Sequence, residues 1–144
     1  MAKSGALNRC LVDTGILYAL ADKDDSWHAL AVAFISGFRG RLITPSAVIP
    51  EVCYLLNTYL NPEAEIAFVR SLASHEITIE HFTDRDLARI HELLGLYRDA
   101  NIGFVDAACV AVAERLGIAG IATTDRRHFS LVRPKHVPAF DLLP

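Results

Sequence analysis

Residues 10 to 20 read "CLVDTGILYAL", and this stretch sets the expected architecture of the chain. Its beginning, as part of the segment "RCLVD", fits a short and fully buried strand. The apolar "GILYALA" that follows fits the first turns of a helix. Asp13 stands where the strand gives way to the helix, and Gly15 lets the chain turn sharply there. A strand that leads directly into a helix is typical of folds with a parallel sheet.

The same alternation of strand and helix continues along the chain. Strands are also predicted for "RLIT" (41–44), "EITIEHF" (76–82) and "IAGIATTD" (118–125). The pattern predicts an α/β fold in which a mostly parallel central sheet is flanked by helices. We expect a single domain over residues 1–144, with its core at about 9–142.

Further helices are predicted between and after these strands, from their apolar periodicity and from capping residues at their ends. They are "DDSWHALAVAFISGF" with Ser26 as N-cap, "PSAVIPEVCYLLNTYL" opened by Ser46, "NPEAEIAFVRSL" capped by Asn61, "TDRDLARIHELLGLYRD" capped by Thr83, and "GFVDAACVAVAERLG" ended by Gly117.

The composition is that of an ordinary globular protein, with 52% hydrophobic and 22% charged residues. The net charge of −3 argues against a protein that coats nucleic acid without specificity. The three cysteines form no Cys-x-x-Cys pair, so reduced, buried thiols in the cytoplasm are expected. Neither a membrane span nor a signal peptide is indicated by the sequence.

The tripeptide Asp-Thr-Gly also occurs in aspartic proteases, and this alternative has to be weighed. Such an enzyme needs a second aspartate, either from a repeat of the motif or from a partner chain, on a chain that is nearly all β. No second Asp-Thr-Gly occurs here, and the predicted helices contradict an all-β fold. The protease interpretation is therefore rejected.

Four carboxylates lie in stretches that are otherwise free of charge, and we call them the acidic edge: Asp13, Glu51, Asp106 and Asp125. An ionised carboxylate in apolar surroundings is costly unless something pairs with it. No arginine or lysine lies three or four residues away on the same helix to do so. Each residue also has a purely structural interpretation: a helix cap for Asp13, a helix-dipole partner for Asp106, a turn residue for Asp125, and a buried salt bridge for Glu51.

The expected fold brings these four side chains together. Asp13 and Asp125 each follow a predicted strand, and the carboxyl ends of parallel strands share one edge of the sheet. Glu51 and Asp106 lie in the early turns of helices that begin near that edge. A group of carboxylates repels itself, and Mg²⁺ or Mn²⁺ would relieve the repulsion through oxygen ligands. A cation held in this way fits metal-assisted hydrolysis of a phosphodiester, while a phosphatase is a weaker alternative.

The chain resembles the PIN domain, and in particular the VapC toxins of VapBC toxin–antitoxin pairs. The matching pieces are "LVDTGILYAL", "PSAVIPEVCYLL", "YRDANIGFVDAACVAVAERLG" and "IATTDRRHF", in the order and spacing of the family. The resemblance implies an endoribonuclease that depends on Mg²⁺ or Mn²⁺, forms a homodimer, acts on RNA and is inhibited by a small cognate VapB-type antitoxin.

Carried over to this sequence, the resemblance makes the acidic edge both the catalytic site and the metal site. Thr14 and Thr124 are auxiliary polar groups, and Asp99 matches a further acidic position of many members. Gly15 departs from the family, where asparagine or serine is common, so any hydrogen bond from that side chain is absent here.

Two arginines directly after the acidic Asp125 are candidates for holding RNA phosphates. They are Arg126 and Arg127, in a stretch expected to be a loop. The six histidines lack the spacing of metal ligands and are assigned no catalytic role. Two other functions remain open: a housekeeping PIN-domain nuclease of RNA processing, and a PIN-fold binding module without catalysis.

Overall fold

The structure is a computed structural model that describes residues 8–144. The prediction about a signal peptide rests mainly on residues 1–7, which lie outside this range. The described strands are β1 (Arg9–Val12), β2 (Arg41–Pro45), β3 (Thr78–Glu80), β4 (Gly120–Ala122) and β5 (Asp141–Leu143). They form one sheet in the order β3-β2-β1-β4-β5, and every neighbouring pair is parallel. The predicted α/β class with a parallel central sheet is confirmed.

Helices connect and flank these strands. They are α1 (Thr14–Ala21), α2 (His28–Gly37), α3 (Val48–Tyr59), α4 (Pro62–Ala73), α5 (Asp84–Leu96), α6 (Phe104–Leu116) and α7 (Arg126–Leu131), with a short 3₁₀ helix at Arg98–Ala100. The predicted caps Asn61 and Thr83 accept backbone N–H groups of α4 and α5. Gly117 ends α6 in the left-handed conformation, at a φ of 68°, which a glycine adopts without strain.

Two predicted caps are wrong, because the backbone at these positions forms a turn in one case and strand pairing in the other. Ser26 does not cap α2: a turn led by Asp25, whose carboxylate accepts the N–H of Trp27 at 2.8 Å, precedes the helix. Ser46 does not cap α3 either. Its N–H donates to the carbonyl of Glu80 at 2.8 Å, so Ser46 still continues the pairing between the ends of β2 and β3.

Two elements near the end of the chain were not predicted. Residues 126–131, expected to be a loop, form α7, and residues 141–143 add β5 to the free side of β4. A strand of three residues and a helix of six are too short to show an apolar period. The N–H of Thr123 donates to the carbonyl of Leu143 at 2.9 Å, so β5 fixes the backbone at the end of β4.

The middle of α6 is buried on every side. All residues from Ala107 to Ala113 are buried, and the helix packs closely against α5. A helix that is apolar all round belongs in a protein's interior, and the many small side chains allow close approach. Because the middle of α6 is held on all sides, its first turn, with Asp106, is fixed relative to the sheet.

The strand order determines where a site can form. From β1 the chain proceeds through β2 to β3 on one side, whereas β4 and β5 extend the sheet on the other side. The boundary between β1 and β4 is therefore the topological switch point, outside whose carboxyl ends α/β proteins bind ligands. Asp13 follows β1 and Asp125 follows β4, so both flank this boundary. Between residues 8 and 144, no helix is long and apolar enough to cross a membrane.

Candidate active site

Asp13 is the buried member of the acidic edge, with 5% of its surface exposed. Its Oδ2 accepts a hydrogen bond from the hydroxyl of Thr123 at 3.0 Å, and the thiol of Cys109 lies 3.8 Å from Oδ1. Burial raises the pKa of Asp13 from 3.8 to about 6, and the nearby charges of Asp106 and Glu51 act in the same direction. Hydrogen bonds from the backbone of Thr14 and from the hydroxyl of Thr123 lower the pKa and offset part of this rise. Asp13 is the N-cap residue of α1, and its carbonyl accepts the N–H of Leu17 at 3.4 Å, but its side chain makes no capping hydrogen bond, so a helix cap does not account for the carboxylate.

Thr123 joins two members of the acidic edge. Its hydroxyl donates to Asp13 and accepts the backbone N–H of Asp125 at 2.9 Å. The auxiliary hydroxyl was predicted to be that of Thr124 instead. Thr124 lies over Gly15: a Cβ atom at Gly15 would come within 2.0 Å of the Thr124 hydroxyl oxygen. Along an extended backbone consecutive side chains point to opposite sides, so only one of these two threonines can face Asp13.

Asp106 occupies the first turn of α6, where the partial positive charge of the helix end favours an acidic side chain. Burial nevertheless raises the pKa of Asp106, and the charges of Asp125 and Glu51 add to this effect, while His128 opposes it. The helix-dipole interpretation is compatible with this position, but it leaves the clustering of like charges unexplained.

Asp125 and His128 form the opposite wall of the site. Asp125 caps α7, because its Oδ1 accepts the backbone N–H of His128 at 3.0 Å. The ring nitrogen Nδ1 of His128 lies 2.7 Å from Asp125 Oδ2 and 3.4 Å from Asp106 Oδ2. His128 was not predicted as a site residue. The spacing Asp-x-x-His, with the aspartate at an N-cap, is the signal that indicates its position.

The remaining predicted residues lie in different surroundings. Glu51 is exposed on the first turn of α3 and has no ion pair among the described residues, so the buried salt bridge is wrong. Thr14 is buried, and its hydroxyl has no hydrogen-bond partner between residues 8 and 144. Asp99 is exposed in the 3₁₀ helix, and it is not among the main causes of the raised pKa of Asp13 or of Asp106.

The two arginines predicted to hold RNA differ in their contacts. Arg126 donates to the carbonyl oxygens of Leu142, at 3.5 Å, and Pro144, and its guanidinium carbon lies 5.5 Å from the centre of the Trp27 ring. Arg126 is therefore occupied in holding β5. Arg127 is exposed on the first turn of α7.

The donor atoms of this site suit a divalent cation. One ligand atom each from Asp106, Asp125 and His128 lie within 4.8 Å of one another. His128 Nδ1 lies 2.7 Å from Asp125, the length of a hydrogen bond, and 3.4 Å from Asp106. Once Nδ1 has lost its proton, these spacings are close to the separation of about 3.0 Å between neighbouring ligands of an octahedral ion at about 2.1 Å. Oxygen donors suit Mg²⁺, and an added imidazole nitrogen suits Mn²⁺ as well.

Fold and site together define a class: an α/β protein with a carboxylate cluster, suited to a divalent cation, at the switch point of a parallel sheet. The chain belongs to the PIN domain family, whose model matches residues 10–133.

Relatives within this family extend over most of the chain. Ribonuclease VapC26 of Mycobacterium tuberculosis is 31% identical over 134 residues, which cover 93% of this chain and 99% of the relative. The crystal structure of Mycobacterium tuberculosis VapC20, a sarcin–ricin loop cleaving toxin, matches with a TM-score of 0.73 at 26% identity and covers 78% of this chain and 86% of that one. VapBC2 from Rickettsia felis, bound to a promoter DNA fragment, shares the fold with a TM-score of 0.64 at 18% identity, over 93% of this chain and 96% of that one.

Proposed function

We propose that this protein is an endoribonuclease toxin of a toxin–antitoxin pair, and that it hydrolyses RNA phosphodiesters with the help of Mg²⁺ or Mn²⁺. The observation that carries the proposal is the convergence of Asp13, Asp106 and Asp125, none of which has a lysine or arginine partner among residues 8–144. Family membership and the ribonuclease name of VapC26 give the substrate class.

Each residue of the acidic edge would contribute differently to the binding of a cation. Asp106 and Asp125 offer carboxylate oxygens on facing elements, and His128 adds a ring nitrogen. Asp13 adds negative charge from the interior, in an orientation fixed by Thr123 and Cys109. The chemistry supplied by such a cation is Lewis acidity, which lowers the pKa of a water molecule and draws charge from a phosphoryl oxygen.

Two further groups complete the proposed site. Glu51, exposed on α3, would accept hydrogen bonds from solvent at the outer side of the acidic edge and add to its charge. Thr14 has a buried hydroxyl without a partner, and such a group is costly unless a ligand satisfies it. We therefore assign Thr14 to the first contacts of a bound ion or of the water around it.

The partners proposed for this chain are an RNA substrate, a second copy of the chain, and a small VapB-type antitoxin. The uncompensated charge of the acidic edge supports an antitoxin segment that carries an arginine to it, since an arginine would offset the same repulsion as a metal ion. Co-expression with the neighbouring small reading frame is expected to give a stable complex with suppressed cleavage. A toxin that co-purifies with no neighbouring product would contradict the assignment to such a pair.

The direct test is cleavage of a labelled RNA by the purified protein, with Mg²⁺, with Mn²⁺ and with chelator. We expect cleavage only with metal, and loss of cleavage in Asp13→Asn and Asp106→Asn. The matched control is Glu63→Gln, because Glu63 is an exposed acidic residue in the first turn of a different helix, α4, and is not a member of the acidic edge. Cleavage that persists in chelator would reject the metal dependence. A folded wild-type protein that cleaves no RNA would favour the silent binding module.

A further inference from the structure

Two pairs of phenylalanines meet edge to face, and they differ in exposure. Phe129 and Phe140 lie 6.4 Å apart between ring centres and are 1% and 7% exposed, so they belong to the core. Phe82 and Phe104 lie 6.0 Å apart at an angle of 79°, but they are 37% and 43% exposed. The exposed pair presents aromatic surface to solvent, which packing alone does not explain.

The exposed pair lies at the same end of the sheet as the acidic edge. Phe82 follows the carboxyl end of β3 by two residues. Phe104 is the first residue of α6 and Asp106 is the third, so their side chains leave the helix on different sides, about 200° apart. The same helix end thus carries the aromatic surface on one side and a carboxylate of the acidic edge on another.

The backbone that carries Phe82 is held to α6. Arg115, in the last turn of α6, bonds Glu80 at 2.9 Å and the carbonyl of His81 at 3.1 Å. On the other side of Phe82, Thr83 caps α5. Phe82 therefore sits between two anchored residues, so little conformational freedom is lost when something packs against its ring.

We propose that Phe82 and Phe104 form a stacking platform for an unpaired base of the RNA strand that reaches the acidic edge; this inference rests on the proposed function. Proteins that bind single-stranded RNA stack its bases on aromatic side chains. The platform selects unpaired RNA, since a base within a duplex has no free face for it. It favours no base by hydrogen bonding, because the pair offers ring faces and edges without polar atoms.

The contribution of one stacked base corresponds to an affinity change of about 5- to 150-fold. We therefore expect Phe104→Leu and Phe82→Leu to raise the KM for a single-stranded RNA by a factor in this range, with kcat changed little. Phe104→Trp should keep or lower the KM, because a larger aromatic ring stacks as well. The matched control is Ile66→Ala on α4, where an apolar side chain of 56% exposure lies away from this edge.

The experiment measures KM and kcat for these variants with Mg²⁺ on an RNA with a single cleavage site, and with copies of that RNA made abasic at one position at a time. At the position that stacks, the abasic RNA should raise the wild-type KM and leave that of Phe104→Leu unchanged. Metal affinity, followed by thermal shift, should be the same in all variants.

Three outcomes separate the possibilities. Wild-type KM values in both leucine variants, with intact cleavage, would overturn the platform and leave the proposed function standing. Altered size in solution, with unchanged KM, would assign the exposed pair to a contact with another copy of the chain and would likewise overturn it. A wild-type protein that cleaves no RNA would reject the proposed function itself.

Discussion

The carboxylates at the two ends of α6 differ in whether they have a basic partner. Near the last turn, the carboxylate of Glu114 accepts a hydrogen bond from Nε of Arg89 at 2.8 Å. Arg115 forms an ion pair with Asp86 at 3.0 Å. We call these residues, together with Glu80, the paired cluster. Near the first turn, Asp106 faces Asp125, and the nearest basic group is the ring of His128. Carboxylates of the same chemical type are thus matched at one end of a helix and left unmatched at the other.

This difference separates structural from functional charge. Matched carboxylates tie α5 and α6 together, and the loss of one leaves its partner without a counter-charge. Unmatched carboxylates raise the free energy of the folded state, which is useful only if a ligand compensates for it. The acidic edge should therefore be important for activity and dispensable for folding, and the paired cluster the reverse.

The largest effect is expected when one carboxylate is neutralised at each end of α6. Asp106→Asn should lower the rate of RNA cleavage by at least about 100-fold and leave stability unchanged or raised. Glu114→Gln should destabilise the fold by about 1–3 kcal/mol and leave cleavage by the folded fraction nearly normal. Single-turnover cleavage and urea unfolding measure the two quantities. Equal losses of stability in both variants would remove the distinction between the two ends.

The pH dependence of stability tests the same contrast in the absence of metal. Asp13 has a folded-state pKa of about 6 against an ordinary 3.8, so between these values the folded chain retains a proton that the unfolded chain has released. Its contribution to stability is therefore lost as the pH rises from about 4 through 6, by about 3 kcal/mol in all. Urea unfolding in chelator, from about pH 3.5 to 7, should show this fall in wild type and a smaller one in Asp13→Asn. Parallel curves would contradict it.

His128 is the one basic group within contact of the acidic edge in the described chain, and His128→Gln tests what it contributes. The backbone N–H of residue 128 still donates to Asp125 in this variant, so α7 should remain capped. We expect about tenfold weaker Mn²⁺ binding by calorimetry. The coupling of a ring nitrogen to bound Mn²⁺, measured by electron paramagnetic resonance, should also disappear. Unchanged binding and coupling would assign His128 to the cap alone.

The smallest effects are expected at the two arginines next to Asp125. Arg127→Ala should weaken RNA binding less than tenfold and reduce the salt slope by about 0.7, as for one contact to a single strand. Arg126→Ala should instead lower stability, because Arg126 bonds the carbonyl of Leu142 in β5. Filter binding at several salt concentrations, alongside thermal melting, separates the two. If the salt dependence of RNA binding changes only in Arg126→Ala, then Arg126 and not Arg127 contacts an RNA phosphate.

Much of the fold is predictable from local patterns. The first four strands and the longer helices have apolar runs or capping residues that local physics determines, as Asn61 and Thr83 illustrate. β5 and α7 lack such patterns, because β5 exists through its pairing with β4 and α7 through its cap at Asp125. Ser26 and Ser46 show that a capping residue in the sequence does not always cap a helix. Asp25 forms the turn before α2, and the backbone of Ser46 pairs with Glu80.

The positions of the acidic edge follow from topology, but the surroundings of each residue do not. A carboxylate with no charged neighbours in the sequence is expected to be buried. Asp13 is buried, whereas Glu51 is exposed on the solvent side of α3. The choice between Thr123 and Thr124 depends on which side of the chain faces Asp13. His128 reaches the site only because α7 exists, and α7 has no periodic signal.

The close approach of Thr124 to Gly15 also has an evolutionary consequence. An added Cβ at Gly15 would lie 2.0 Å from the Oγ1 atom of Thr124 and 3.1 and 3.2 Å from its Cβ and Cγ2 atoms, so the threonine would have to rotate and shift by a few tenths of an ångström. A descendant that gains serine or asparagine at position 15 is therefore expected to change the rotamer or the residue at position 124. Among related chains, these two positions are expected to covary although 109 residues separate them.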